Sequence, residues 1–526
     1  MRSNGCVLVA LARAWSVALA GVQGTVVEVE ADLAPGLPGL TIIGLPDAAL
    51  SESRDRVRAA VLNSGEPWPQ RRITLGLSPA MLPKHGSGFD ISMAVAVLSA
   101  GGGLPRQALE RVVFFGELGL DGRVRPIRGV LPAAMAAAAA GFMRVVVPSA
   151  NAAEAALVPG LDVWPVVSLR ELVGALRSGQ PPVVPLDDPA IDELREGPSP
   201  TRERFDVELD LSDVLGQPSG RRAVEVAAAG GHHALLLGDP GTGKTMLAAR
   251  LPGLLPELDR AAALEVTAVH SIAGVLPGDC PLVTRPPFRD PHHTTSVAAL
   301  VGGGSGMARP GVASLAHHGV LFLDEAPEFA SGVLDALRQP LESGHVTIAR
   351  SGGIARYPAR FLLVLAANPC GCATSSASTG SCTCTSLIRR RYLNRLSGPL
   401  LDRVDLQVRM DPVSRTELMA DRAHVEHTST VAARVLVARS RATERLAGSP
   451  WRTNSDVPGR ELRDRWAPPR AALAAAERAL DAGRLSARGL DRVLRIAWTL
   501  ADLADRARPT ADDIDEALYL RTGVAA

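Results

Sequence analysis

Three arrangements of apolar and polar positions follow one another along the chain. In "GTVVEVEADL", residues 24–33, the two classes alternate with period two, which predicts a strand with one buried face. "RRITLGL", "RVVFFGEL" and "MRVVVPS" read as further strands, while "ALSESRDRVRAAVLNSG", "ISMAVAVLSAGG" and "VLPAAMAAAAAG" carry apolar residues at helical spacing. Residues 1–178 therefore predict an α/β or α+β domain. From 205 to 411 the strands change character. "HALLLG", "GVLFLDE" and "RFLLVLAAN" are continuous apolar runs, the pattern of strands buried on both faces of a parallel sheet. From 412 to 526 the helical spacing persists without strands, as in "RAALAAAERALDAGRLSARGLDRVLRIAWTLADLADRA", which predicts a helical bundle. Residues 179–204, "GQPPVVPLDDPAIDELREGPSPTRE" and Arg204, bring proline, glycine and charge without periodicity and read as a linker.

Composition changes this picture only at its edges. The 526 residues suit about three domains, and a net charge of +1 excludes a uniformly basic nucleic-acid or membrane binder. Any DNA contact must be a local patch. Aromatic residues make up 3%, which argues against extended base-stacking platforms. The opening "MRSNGCVLVALARAWSVALAG" has the look of a secretion signal, but Arg13 interrupts it and strand-like alternation follows at once. The longest apolar run, "VLPAAMAAAAAGFM", is too short to span a bilayer. Of the six cysteines, Cys370, Cys372, Cys382 and Cys384 crowd together, unlike the disulfide framework of a secreted domain. A cytoplasmic protein that does not enter membranes is expected.

The chemistry is concentrated in a few places. "GDPGTGKTM" runs through Gly238, Asp239, Pro240, Gly241, Thr242, Gly243, Lys244, Thr245 and Met246, between an apolar strand and a helix, which is the context of a phosphate-binding loop. Gly241 and Gly243 allow successive backbone N–H groups to face phosphates, and the helix N-terminus adds positive potential. Lys244 reaches the outer phosphates and Thr245 offers a hydroxyl to Mg²⁺. Only Lys84 and Lys244, of 56 cationic side chains, are lysine, so a slender point charge is required at this loop. The strand "GVLFLDE" ends in Asp324, suited to Mg²⁺, and Glu325, suited to activating water. The strand "RFLLVLAAN" ends in Asn368, a polar group for the outer phosphate. Phosphoryl transfer also needs arginines, commonly one from a neighbouring subunit and one from a mobile lid, for which Arg403 and Arg488 are candidates.

Long segments, "GQPSGRRAVEVAAAGGHHALLLGDPGTGKTMLA", "FRDPHHTTSVAALVGGGSGMARPGVASLAHHGVLFLDEAPEF", "RYLNRLSGPLLDRVDL" and "LSARGLDRVLRIAWTLADLA", resemble the magnesium-chelatase-like AAA+ ATPases of the ComM and YifB type. The similarity extends to the N-terminal "GLPDAALSESRDRVRAAVLNSG". It implies a P-loop AAA+ core at 205–411, a Lon-protease-like (S5-like) α+β domain at 1–178, and a helical lid at 412–526. It further implies ATP and Mg²⁺ as cofactors, a homo-hexameric ring with ATP between subunits, Asn368 as first sensor, Arg403 as trans-acting finger and Arg488 as second sensor. An insertion at roughly 265–310 and a hairpin at roughly 345–360 would face the pore, which makes Arg350 and Arg356 candidate contacts to single-stranded or branched DNA. The activity implied is branch migration in recombination and natural transformation. A chelatase-type motor acting on a protein partner and an ATP-dependent protease are the competing readings. Asp239 departs from the resemblance, since relatives usually carry an uncharged residue there.

Two stretches stand apart. "LPKHGSGFDISMAVAVLSA" and "GELGLDGRVRPIRGVLPAA" resemble Lon-type proteolytic domains, which use a serine–lysine dyad. Alignment puts Gly88 at the nucleophile position and Leu131 at the base, so no peptidase is expected. Ser87 lies one residue out of register, and Lys84 is either a structural contact or a phosphate ligand. In "CGCATSSASTGSCTC" the four cysteines form two closely spaced pairs able to surround one structural Zn²⁺, against the alternatives of unmetallated thiols or a reversible disulfide.

Overall fold

The computed structural model describes residues 11–44, 48–84, 86–182, 209–276, 282–304, 308–350, 353–372, 384–414, 419 and 425–523. Most of the expected linker, and Cys382, lie outside them.

The apolar stretch near the N-terminus is a strand. Leu11–Ala20 pairs antiparallel with Gln23–Ala34 along its whole length, Leu11 opposite Asp32 and Ala20 opposite Gln23. Arg13, which breaks the apolar run in the sequence, projects on the outer face of this pair, where it meets Glu28 and Glu30. The two strands are the middle of a seven-stranded sheet, ordered Gly39–Ile43, Arg72–Ser78, Gln23–Ala34, Leu11–Ala20, Val112–Phe114, Arg144–Pro148, Asp162–Val166. Period-two alternation gives the sheet two faces. Val27, Val29 and Ala31 pack beneath the helices Ala48–Asn63 and Asp90–Ala100, while Val17 and Val26 meet the helix Val130–Ala139.

The second sheet has five parallel strands, in the order Phe288–Arg289, Val320–Leu323, Leu362–Ala367, Ala234–Gly238, Leu406–Met410. Its register aligns the carboxyl ends of the three central strands, with Leu237 beside Ala367 and Leu323 beside Leu365. Residues just beyond those ends must therefore converge, which is where parallel sheets build ligand sites. The expected insertion is narrower than 265–310. The helix Arg260–Ala273 and the strand Phe288–Arg289 belong to the core, because the strand pairs with Val320 and Leu321. A two-residue strand leaves no periodicity to read. What remains is the helix Val297–Val301 and a ribbon, Gly302–Gly303 with Arg309–Pro310.

C-terminal helices Thr428–Arg445, Ala487–Leu503 and Ala511–Thr522 share one hydrophobic cluster with the core helix Pro218–Gly230. A buried polar chain crosses the same boundary. His232 Nδ1 lies 2.8 Å from Asp405 and its Nε2 lies 2.7 Å from the Thr499 hydroxyl, which also accepts from Asn454 at 3.0 Å. Removing one partner would strand a buried polar group at a cost of about 1–3 kcal/mol, so the chain fixes the lid's seat.

The N-terminal domain docks on the core through the helix Val130–Ala139. Leu131, Ala134 and Val158 pack with Ala268 of the core helix Arg260–Ala273. Glu154, buried in this contact, accepts from the Leu131 N–H (2.7 Å), from Asn151 (3.3 Å) and from the Ser271 hydroxyl of the core. Burial pushes its carboxyl up from the usual range, and these donors oppose the shift. Among the described residues no helix is long and apolar enough to cross a membrane.

Candidate nucleotide-hydrolysis site

The loop after Gly238 follows from its glycines. Gly241 and Gly243 take φ of +82° and +88°, which a side chain would strain, and a Cβ on either would meet nothing within 4 Å. The loop thus presents bare backbone to open space at the start of the helix Lys244–Leu254, a fit for phosphate oxygens. Lys244 is buried at the loop's mouth. Its ammonium donates to the Gly238 carbonyl (2.7 Å), the Asp239 carbonyl (2.9 Å) and Asn368 Oδ1 (3.1 Å). Burial lowers the lysine's pKa, and the carboxylates of Asp324, Asp239 and Glu325 act against that shift. Asp239, the departure noted in the sequence, is thus one of three charges favouring the protonated lysine. Thr242 returns its hydroxyl to the Asp239 carbonyl at 2.9 Å, while Pro240 and Met246 are exposed flanks.

Thr245 Oγ1 donates to Asp324 Oδ2 at 2.7 Å, so a hydroxyl and a carboxylate meet as hard oxygen donors able to hold Mg²⁺. Glu325 is exposed and sits at φ +49°, ψ +43°, an uncommon backbone for a non-glycine residue, with its N–H on Asp324 Oδ1 at 2.9 Å. Lys244, Thr245, Asp324, Glu325 and Asn368 are therefore neighbours. Sequence reading missed His293, whose Nδ1 lies 3.6 Å from Glu325 Oε2. The available signal was the pair His292–His293 just beyond a core strand.

Arg403 and Arg488 form a second cluster. Arg403 donates to the Pro399 carbonyl at 2.5 Å and pairs with Glu342, while Arg488 reaches Asp402 at 3.2 Å. Burial lowers the pKa of Arg403, and the like charges of Arg338 and Arg488 lower it further. The two candidate arginines thus stand side by side, and among the described residues none of their hydrogen bonds or ion pairs reaches the loop of their own chain.

Arg350 and Arg356 lie exposed on the hairpin His345–Arg350 and Gly353–Pro358. Arg356 leans on His345 at 3.1 Å, and its backbone bridges to Gly21 of the N-terminal domain. Arg309, which sequence reading passed over, is exposed on the adjoining ribbon. Among the described residues none of these three arginines has a carboxylate partner.

Lys84 is a structural contact. It is fully buried, and its ammonium donates to the carbonyls of Gly44 (3.0 Å), Leu77 (3.0 Å) and Pro79. All three N–H donors are committed, so it cannot serve Ser87, whose hydroxyl goes to Glu117. Leu131, at the base position, is fully buried against the core.

Among the described residues, two groups gather potential metal donors. Cys370, Cys372 and Cys384 hold their sulfur atoms within 4.8 Å of one another, and Cys382 lies outside the described residues. Glu265, His317 and His318 also converge. There the Arg360 N–H donates to His317 Nδ1 at 3.0 Å, so the ring proton sits on Nε2 and goes to Glu265 at 3.0 Å. With its lone pair already used, His317 ties helix to strand rather than ligating a metal.

The chain matches the family described as magnesium chelatase, subunit ChlI, over residues 210–418, a second ChlI description over 29–151, and the ChlI C-terminal description over 425–521. It is 54% identical over 514 residues to an uncharacterised protein of Mycobacterium tuberculosis, covering 97% of this chain and 99% of that one. It is 40% identical over 516 residues to the competence protein ComM of Haemophilus influenzae, covering 98% of each. A partial likeness, 31% over 173 residues, links it to the Lon protease of Mycolicibacterium smegmatis, covering 31% of this chain and 22% of the protease.

Proposed function

Because this chain belongs to the magnesium-chelatase-like AAA+ ATPases of the ComM and YifB group, we propose that it is a homo-hexameric ring motor that hydrolyses ATP with Mg²⁺ and drives branch migration of DNA in recombination and natural transformation. In this reading the loop amides and Lys244 bind the phosphates, and Thr245 and Asp324 hold Mg²⁺, which neutralises charge on the outer phosphates. Glu325 takes the proton of the attacking water, with His293 3.6 Å from its carboxylate. Asn368, bonded to Lys244, registers the outer phosphate. Arg403 and Arg488 of one subunit reach the nucleotide of the next, which suits their shared position away from their own loop. The N-terminal Lon-like domain serves as a rigid support, since Leu131 and Glu154 are committed to the core contact. A structural Zn²⁺ on the cysteine cluster belongs to the same reading.

The observation that carries the DNA assignment is the ridge of Arg309, Arg350 and Arg356, exposed and, among the described residues, without carboxylate partners in a chain of net charge +1. The competence name of the Haemophilus influenzae relative supports it. The hairpin is also linked to the second arginine cluster. It forms one wall of a cleft of about 650 Å³ whose other wall includes Arg338 and Glu342, and Glu342 pairs with Arg403. A push on the hairpin therefore has a short path to the arginine that would complete the neighbouring site.

Replacing Arg350 with alanine is expected to weaken DNA binding regardless of sequence and to lower the salt dependence of the affinity by about one unit. Arg309→Ala should act similarly, while Arg356→Ala should act less, because His345 and Gly21 already hold that residue. Fluorescence anisotropy on single-stranded and forked DNA across a salt series reads both quantities. Unchanged affinity and slope in the Arg309→Ala/Arg350→Ala double variant would remove the ridge from the DNA surface and favour a protein partner.

A further inference from the structure

We infer that Cys370, Cys372 and Cys384 form a site for a soft divalent metal ion, Zn²⁺ above others, and that the bound ion holds Asn368 and the turn carrying Glu325 in place for hydrolysis. The inference rests on the proposed ATPase site and is independent of DNA. Three thiol sulfurs lie within 4.8 Å of one another, and those of Cys370 and Cys372 are 2.8 Å apart. One Zn²⁺ about 2.3 Å from each sulfur would space them at roughly 3.8 Å, so a small relaxation seats the ion. Sulfur donors select Zn²⁺ over the Mg²⁺ of the neighbouring site, whose donors are oxygens.

Two arms lead from this cluster to the reacting groups. The first is covalent. Cys370 follows Asn368 by two residues, and Asn368 Oδ1 accepts from Lys244 at 3.1 Å. The second begins at Gly371, between two of the cysteines. A Cβ there would lie 3.0 Å from Cδ2 of Tyr392, so the ring rests directly on the backbone. Tyr392 is buried with the Glu328 carboxylate beside its hydroxyl, and Glu328 also meets Arg395 at 3.0 Å. The Glu328 N–H closes the turn onto the Glu325 carbonyl at 2.7 Å. Cys384 stands just before the helix Ser386–Leu393 that carries Tyr392. An ion shared by Cys370, Cys372 and Cys384 therefore staples the end of the sensor strand to that helix, with Asn368 on one side and the Glu325 turn on the other. Three thiolates take three of the ion's four tetrahedral positions, and the site stands apart from the Thr245–Asp324 oxygen donors, so the ion's part is to order the turn.

Protein purified without chelators should contain about one zinc per chain, and Cys372→Ser/Cys384→Ser should lose it. Exchange for Co²⁺ should produce thiolate charge-transfer absorption, a readout that needs no activity. Zinc removal should cut basal, DNA-independent turnover by about tenfold with nucleotide affinity retained, and added zinc should restore it. Tyr392→Phe, which leaves every thiol intact, should lower turnover with KM and zinc content unchanged. Metal-free protein at full turnover, or a Co²⁺ adduct without thiolate bands, would overturn the site. A zinc-bearing protein whose turnover survives both zinc removal and Tyr392→Phe would overturn the coupling, and neither result bears on whether DNA is the motor's track.

Discussion

Replacing Glu325 with glutamine is expected to leave MgATP affinity within about twofold of the parent and to lower turnover by about a hundredfold or more. Glutamine keeps the shape of the side chain and the αL backbone, so the Glu325 N–H remains on Asp324 and the metal donors Thr245 and Asp324 are untouched. Only the capacity to accept a proton from water is lost. His293 would then face a neutral amide across 3.6 Å and could offer it a hydrogen bond, which stabilises the inactive arrangement. Equilibrium binding of a fluorescent ATP analogue, set beside phosphate release, separates the two quantities. Undiminished turnover would take Glu325 out of the role.

Arginine 403 gives the second large effect. Arg403→Ala should bind ATP normally and hydrolyse it about a hundredfold more slowly, since an arginine brought to the transferring phosphate contributes at least that much. Because among the described residues neither Arg403 nor Arg488 forms a hydrogen bond or ion pair with its own loop, the deficit should be complemented between chains. Mixing inactive Glu325→Gln with inactive Arg403→Ala subunits regenerates intact interfaces wherever a Glu325→Gln subunit lends its arginine to an Arg403→Ala neighbour. Random mixing at equal amounts makes about a quarter of interfaces intact, the recovery expected in a closed ring with independent sites. Activity of each variant that ignores the other would assign Arg403 to its own chain.

How much of this could be read from the residues depended on how local each feature is. The phosphate loop, Asp324, Glu325 and Asn368 were legible because each follows directly on an apolar strand, and the parallel register then forces the strand ends together. The cysteine cluster was legible from spacing alone. Lys84 was not, since its three carbonyl partners come from Gly44, Leu77 and Pro79, and no local pattern announces them. His293 meets Glu325 only through the sheet order, and the strand before it, Phe288–Arg289, is too short to show a period. The first strand, Leu11–Ala20, looked like a leader because its partner, Gln23–Ala34, supplies the acidic side chains that match Arg13. The pairing of Arg488 with Asp402, beside Arg403, needed the lid's docking on the core, which is set by buried tertiary contacts and leaves no trace in sequence spacing.

The measurement that bears most directly on the central claim follows a labelled strand through a three-strand DNA junction with Mg²⁺ and ATP. The wild-type protein should move the junction and hydrolyse ATP faster when the DNA is present. Glu325→Gln should bind the same junction and leave it in place. Robust hydrolysis that DNA neither accelerates nor converts into strand movement would contradict the account and point to a protein as the motor's load.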